Sequence, residues 1–417
     1  MEGRGSMDRR VAITGIGIVS PLGSGREAFG KALLAGQSGI APLAAFSAEA
    51  FPCRLAAEIR DFQARDFVSI KNLRRMDRLS AVTTAAARMA LDDAGLAITP
   101  ANRDRTGMIL GTAWGGTDVT VSFARVLVTE GPGSVNPILV PNVVMNAPAG
   151  HASIELGFRG INTTVNHYSV SAESALAYGA REIRRGAADV LLAGGADVLA
   201  PFYFESLTRF KALSPLQGGG SEGARPFDLR RNGPVAGEGC GILCLEPLEA
   251  ARERGATVYA EITGSGMASS PAPMTGWPDG PRGFILAARR ALKAAGCTPE
   301  EVDIVFAAAS GGLQPDLLEA EGLERIFGTD GKRPLVTALK GALGENFTSG
   351  GMRAAALALA LRDGVVPPTL GLEEPVRPLS VVVGQSVRGA FRRGLLNGIS
   401  HGGTYVSLLF SSVEEES

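Results

Sequence analysis

The sequence predicts an α/β protein in which helices cover long buried strands, and three observations carry that prediction. Apolar runs of strand length alternate with stretches of helical period along the whole chain. The strand segments are continuously apolar instead of alternating, the pattern of strands buried on both faces. The second half then repeats the grammar of the first with no low-complexity linker between them, which suggests a duplicated core.

The elements follow in order. Residues 11–19 are an apolar run closed by Ser-Pro-Leu-Gly, a buried strand and its turn. Residues 26–34 read as a helix, 71–94 contain a longer one, and 106–111 form a short strand. A helical stretch at 141–156 precedes a β-rich segment at 162–168. Residues 171–185 are an alanine-rich helix opened by Ser171, a residue type able to cap it. A strand at 190–193 enters Gly194-Gly195, and 239–245 is a further apolar strand. In the second half, strands are expected at 258–262, 302–309, 335–337, 380–383 and 404–410, and helices at 283–295, 317–327 and 349–361. The glycine-rich stretch 218–223 reads as a flexible surface loop within the first half.

Composition narrows the function classes. Apolar residues make up 45% and charged residues 20%, ordinary for a globular protein with a sizeable core. A net charge of −1 gives no footprint for nucleic acid or an anionic membrane. The 55 glycines are scattered, as tight βα turns and close backbone approaches require. Cys53, Cys240, Cys244 and Cys297 form no CxxC pair or His-bearing cluster, so no metal site is expected. Cys240 and Cys244 lie on one face of a strand but about 13 Å apart, too far for a disulfide. No run reaches the roughly 20 apolar residues of a membrane-spanning helix, and no signal-peptide core precedes the first strand, so a cytoplasmic protein is expected. Residues 1–6 look like an expression-tag remnant before Met7. The domain reading is therefore a remnant and arm over 1–9, a first half over 10–256 and a second over 257–417. Gly15-Ile-Gly17 lacks a third glycine in the right place and is followed by proline, which argues against a nucleotide site.

Four segments carry a resemblance. Ala180-Arg-Glu-Ile-Arg-Arg-Gly-Ala-Ala-Asp-Val-Leu-Leu-Ala-Gly-Gly-Ala-Asp197 has the form of a helix IRxGxADV leading into a buried AGGxE/D strand. Ala224-Arg-Pro-Phe-Asp, continuing to Gly-Glu-Gly239, matches RPFDxxRxGFVxGEG. Arg362-Asp-Gly-Val-Val-Pro-Pro-Thr369 matches RxGxxPPT, and Asn397 with Gly402-Gly-Thr404 matches a closing NSFGFGGTN. Together with the opening strand, these make the chain similar, from Arg10 to Phe410, to the elongating β-ketoacyl-ACP synthases. The resemblance implies a thiolase-like, duplicated five-layer αβαβα architecture.

That family's chemistry needs a thiolate at a helix N-terminus and two histidines that stabilise developing charge. Register on the following helix puts Ser169 where the cysteine belongs. Counting back from Glu319 puts Ala308 at the first histidine, in Ala307-Ala-Ala-Ser-Gly-Gly312. The second histidine motif, KSxxGHxxGAAG, reads Lys340-Gly-Ala-Leu-Gly-Glu-Asn-Phe-Thr-Ser-Gly-Gly351, which retains Lys340 and places Glu345 at the histidine. A serine hydroxyl does not ionise unaided, and a carboxylate repels a developing negative charge.

An intact scaffold without its three reactive groups resembles one branch in particular. This is the chain-length factor, or ketosynthase-β subunit, of type II polyketide synthases, which pairs with an active ketosynthase and helps line the tunnel for the growing chain. The branch often carries glutamine at the cysteine position, whereas this chain has serine, and aromatic and polyene-forming systems both stay open. The resemblance implies an active ketosynthase as heterodimer partner, an acyl carrier protein presenting the chain on its phosphopantetheine arm, and no other cofactor. Two alternatives accompany it. One is an independent acyltransferase or hydrolase in which Ser169, His401 and Glu345 converge, His401 standing where the family has a gating phenylalanine. The other is a homodimeric acyl-binding pseudoenzyme.

The remaining site readings are paired. Lys340 either orients the pocket or is a structural ion-pair lysine. His167 is expected to be packed and satisfied, and His151 to be structural. Trp114 aligns beside the acyl pocket, where it either plugs the cavity or serves as a core aromatic. Val119 and Phe123 follow at i and i+4 on one helix face, which the resemblance places near the dimer interface as candidates for measuring chain length.

Overall fold

A computed structural model describes residues 9–215, 220–329 and 333–413. The remnant at 1–6 and most of the arm at 1–9 lie outside the described residues, as does part of the loop read at 218–223.

The frame of the site is built from β1 (Val11–Ser20), α1 (Arg78–Asp93), β2 (Thr106–Gly111), α2 (Thr117–Glu130), α3 (Ala147–Leu156), β3 (Asn162–Val165), α4 (Ser171–Arg184), β4 (Val190–Asp197), α5 (Pro201–Arg209) and β5 (Gly239–Pro247). Its counterpart comprises β6 (Ala260–Ser269), α6 (Arg282–Ala294), β7 (Ile304–Phe306), α7 (Leu313–Phe327), β8 (Leu335–Thr337), α8 (Gly350–Asp363), β9 (Arg393–Ser400) and β10 (Thr404–Ser411). Strand order is β8-β7-β9-β10-β6-β1-β5-β4-β2-β3. Within it, β1-β5-β4-β2-β3 and β6-β10-β9-β7-β8 have the same succession of two antiparallel and two parallel pairings. The two halves join through the antiparallel pairs Ala12–Glu261 and Ile13–Ala260.

The duplication shows in this topology although few residues repeat. Helices α1 and α3 cover the outer face of the first half and α6 and α7 that of the second, while α4 and α8 pack against each other between the sheets. This is the expected five-layer αβαβα arrangement. The largest apolar cluster surrounds the central pair, with Leu176, Ala180 and Ile183 of α4 meeting Met352, Ala355, Leu357 and Leu361 of α8. Helix α8 is small-residue-rich and buried almost all round, as a helix between two sheets must be.

Gly15 and Gly17 have a packing role and not a nucleotide-binding one. A Cβ on Gly17 would lie 1.8 Å from the carbonyl oxygen of Ala86, and one on Gly15 2.0 Å from that of Ala90. Glycine at these two positions lets α1 lie directly on β1.

Several boundaries differ from expectation. The 71–94 helix breaks into Ile70–Leu73 and α1, because the Asp77 side chain caps the Ser80 N–H and restarts it. The 141–156 stretch divides into a 3₁₀ segment at Pro137–Val143 and α3. Residues 380–383 contribute only an isolated bridge, Val336–Val381, so the expected strand is absent there. Helix α5 and strand β9 were not anticipated. No described helix is long and apolar enough to cross a membrane. All four cysteines are free and buried, and desolvation raises the pKa of each thiol.

Candidate active site

A cleft of about 730 Å³ opens where β3, β7 and β8 hand over to the segments that follow them. Ser169, Ala308, Lys340, Glu345 and His401 all line it. The five positions, picked from four sequence motifs, are thus brought into one place, whereas Trp114, Val119 and Phe123 are not among its walls.

The Ser169 turn is held by its neighbours. After β3 the Asn166 side chain accepts the Tyr168 N–H and donates to the Ala113 carbonyl, both at 3.1 Å. Tyr168 sits in the left-handed region at φ 53°, a conformation that costs a bulky residue about 1–3 kcal/mol. Ser171 was expected to cap α4 but is instead its first helical residue. Its hydroxyl accepts the His167 N–H at 2.9 Å and donates to the Tyr168 carbonyl at 2.6 Å, stitching the turn shut. Ser169 is presented, 7% exposed, two residues before the helix start. Its hydroxyl has no hydrogen-bond partner among the described residues.

No base is positioned for that hydroxyl. His401 turns Nδ1 to the Met274 carbonyl at 2.7 Å and packs edge-on against the Tyr168 ring at 4.2 Å. Burial lowers its pKa, with the Met274 carbonyl and the Glu345 charge opposing the shift. Ser169, His401 and Glu345 share a cavity, and in this arrangement no hydrogen bond joins any two of them.

Glu345 is fixed by a different set of contacts. Its N–H donates to the Val235 carbonyl at 2.8 Å, and its own carbonyl accepts from Gly237 N–H at 2.9 Å and from the Tyr203 hydroxyl at 3.2 Å. Lys340 Nζ lies 2.6 Å from Oε2, with both side chains buried, and the Phe347 N–H donates to Oε1 at 3.0 Å. Lys340 is therefore an ion-pair lysine at the cavity wall. The carboxylate expected to repel developing charge is already offset by an ammonium. Phe347 has φ 60°, so the turn before α8 repeats the left-handed aromatic of the turn before α4. The two rings, Tyr168 and Phe347, meet at 4.8 Å.

Ala308 follows β7 with its N–H on Glu319 Oε1 at 3.0 Å. Sequence reasoning used Glu319 only as a register mark, yet it lines the cavity and is fully buried. Its other oxygen, Oε2, has no partner. Desolvation raises its pKa to about 7 against the opposing Ala308 N–H, Arg353 and Lys340. The available signal was a pair of carboxylates, Asp316 and Glu319, at i and i+3 among the buried residues of α7. Asp316 proves structural, accepting the N–H groups of Phe227, Ser310 and Gly311.

Trp114 does not plug the cavity. It stands one layer behind, against Tyr168, Tyr203 and Phe347 at 6.1, 4.6 and 6.4 Å, and joins the core cluster of Tyr203 and Phe204. Val119 and Phe123 are half-buried on α2, a helix with no fully buried residue. His151 is structural, bonded to Asn142 at 2.7 Å. His167 is satisfied by Ser174 at 3.0 Å and meets the Tyr178 ring edge-on at 6.4 Å, while remaining exposed because the strand ends before it.

Comparison with known proteins is consistent along the chain. The N-terminal domain of β-ketoacyl synthases matches residues 8–251 and their C-terminal domain matches 259–373. The chain is 35% identical over 412 residues to 3-oxoacyl-[acyl-carrier-protein] synthase 2 of Vibrio harveyi, covering 98% of this chain and 99% of that protein. Among solved structures, the ishigamide ketosynthase/chain length factor superposes with a TM-score of 0.90 at 31% identity, covering 97% of this chain and 100% of that one. A β-ketoacyl synthase from Burkholderia phymatum superposes with a TM-score of 0.89 at 28% identity, covering 98% and 100%.

Proposed function

The chain belongs to the β-ketoacyl synthase family, and we propose that within it this protein is a non-condensing, chain-length-factor subunit that works with an active ketosynthase. One observation carries the reading. In a single cavity, the nucleophile position holds an unactivated hydroxyl, the first histidine position a methyl group, and the second a carboxylate already paired with Lys340. Claisen-type condensation needs a covalent acyl acceptor and donors aimed at the developing oxyanion. This cavity supplies neither.

A partner then brings the thiolate, and the chain contributes walls. Likeness to the ishigamide ketosynthase/chain length factor over nearly the full length supports that division of labour. The names of the curated relatives support an acyl carrier protein as the bearer of the chain. An apolar surface supports the partner contact: α2, the 3₁₀ segment Pro137–Val143, α3 and α5 adjoin one another and expose Leu127, Val128, Ile138, Val140, Ile154 and Phe202. Apolar exposure on this scale marks a protein contact. Val119 and Phe123 lie on α2, where they can meet an acyl chain running across the contact.

Co-expression with a cysteine-bearing ketosynthase and a carrier protein tests the reading. The expected result is a heterodimer by sizing and elongated product only when both subunits are present. Condensation by this chain alone would overturn it. In the working complex, Phe123→Ala should shift products to longer chains at similar turnover. A core position would instead lose about 3–5 kcal/mol of stability, and an unchanged product from a well-folded complex would remove α2 from the measuring role.

A second reading, acyl transfer by Ser169 with His401, is favoured by their shared cavity and by the lowered pKa of His401. It requires a rotation of His401 away from Met274. A third, a homodimeric acyl-binding pseudoenzyme, predicts a stable dimer of this chain alone in the same sizing experiment.

A further inference from the structure

The Lys340–Glu345 contact has the construction of an occupied anion site. Lys340 Nζ and the Phe347 N–H converge on the two oxygens of one carboxylate, at 2.6 and 3.0 Å. An ammonium and a backbone N–H are what a bound carboxylate ion would be given. Lys340 is 3% exposed and Glu345 7%, and both line the cleft that opens to solvent beside Ser169. The segment is also rigid. Main-chain bonds to Val235 and Gly237 hold Glu345 in place, and the left-handed Phe347 turns its N–H back toward the carboxylate.

We propose that Lys340 Nζ and the Phe347 N–H form a subsite for small carboxylates, and that Glu345 fills it in cis as a tethered ligand. In the protein as it stands, the cavity then refuses anionic ligands of the malonate half-ester class and accepts uncharged ones. Glu345 acts here as a built-in competitor whose local concentration no free ligand matches. The inference stands on the geometry of these residues and not on the partner assignment. Its failure would leave the chain-length-factor reading untouched, and the reverse also holds.

The test is replacement of the tethered group by a free one. Glu345→Ala removes the carboxylate that Lys340 Nζ contacts and leaves that position open. Thermal unfolding is then followed against formate and acetate, with chloride at equal ionic strength as control. The Ala variant should melt below the wild type and regain about 2 °C at tenfold saturation with formate. Neither the wild type nor Glu345→Ala/Lys340→Met should respond beyond the chloride control. Equal formate responses in all three proteins, or none in the Ala variant, would overturn the proposal. Should Glu345→Ala not fold alone, recovery of soluble protein on refolding with formate but not chloride supports the subsite, and equal failure in both refutes it. Glu345→Gln, which fills the same space without charge, should fold in either case and remain insensitive to formate; a formate response from it would place the anion elsewhere.

Discussion

The turn that presents Ser169 and the turn that presents Glu345 are built alike in two halves of a duplicated fold, and they hold their polar side chains in opposite ways. Each follows a parallel strand, puts an aromatic residue in the left-handed region and precedes a central helix: Tyr168 before α4, Phe347 before α8. In the first, the polar side chain is left without a partner. In the second, it is bonded on both oxygens. Backbone strain is present at both sites. The turns are therefore maintained as supports for the cavity walls, where Tyr168 meets Phe347 and Trp114 backs them both.

The largest expected effect comes from the bond between the two helices that carry these turns. Glu173 on α4 and Arg353 on α8 form a fully buried ion pair, and Arg353 also donates to the carbonyls of Ala307 and Asn397 at 3.1 and 2.6 Å. Glycine at 350 makes room for it, since a Cβ there would lie 2.3 Å from the Glu173 carboxyl carbon. Arg353→Met should cost about 3–5 kcal/mol in denaturant unfolding, because it strands a buried carboxylate. Glu173→Met with Arg353→Met should recover most of that loss. A double variant as unstable as the single would mean that the helices are held by packing at this crossing and not by the pair.

Next in size is a pH effect from two buried acids, Glu319 at the cavity wall and Asp197 at the end of β4, where it accepts from Thr112 and the N–H groups of Ala113 and Trp114. Burial raises Asp197 and Glu319 to about 7, whereas unfolded carboxyls release their protons near pH 4. Between about pH 4 and 7 the folded chain holds more protons, so these two groups make stability fall as pH rises through that window. Glu319→Gln should raise stability above pH 7 by on the order of 3 kcal/mol and flatten part of the slope, the remainder staying with Asp197 and the other buried acids, Glu173 and Asp316. A variant with the wild-type slope would show that Glu319 is ionised in the folded protein.

How much of this was legible in the sequence divides along the same line. Motif registers brought Ser169, Ala308, Lys340, Glu345 and His401 together, because each motif is tied to a strand end and the strand ends meet. Contacts across the cavity were not legible. Glu345 appeared as a repelling charge because its neutralisation by Lys340 depends on a turn five residues long. For Trp114 the cavity plug and the core aromatic both stayed open, because position along the chain does not tell which layer of a stack a ring occupies. The 380–383 strand failed because an apolar run of strand length still needs a neighbour, and these residues have only the Val381 bridge. Helix α5 buries Tyr203, Phe204 and Leu207 on one face, but in a nine-residue segment the neighbouring exposed Phe202 obscures that stripe.

A smaller effect is expected at Ser171, whose hydroxyl closes the first turn with two hydrogen bonds. Ser171→Ala should cost about 1–2 kcal/mol and leave the second turn unchanged. A larger loss would mean that the two turns are coupled through the Tyr168–Phe347 contact, which Phe347→Leu in the same background would reveal as non-additivity.

The central claim, that this cavity cannot take an acyl group covalently, is tested most directly by intact-mass spectrometry after incubation with acyl carrier protein thioesters. The account predicts the unmodified mass for the wild type and for Ser169→Ala alike. For Ser169→Cys it predicts at most a slow thioester without condensation, since Ala308 and Glu345 leave the oxyanion unsupported. Stoichiometric acylation of the wild type that disappears in Ser169→Ala would contradict it and make Ser169 a nucleophile.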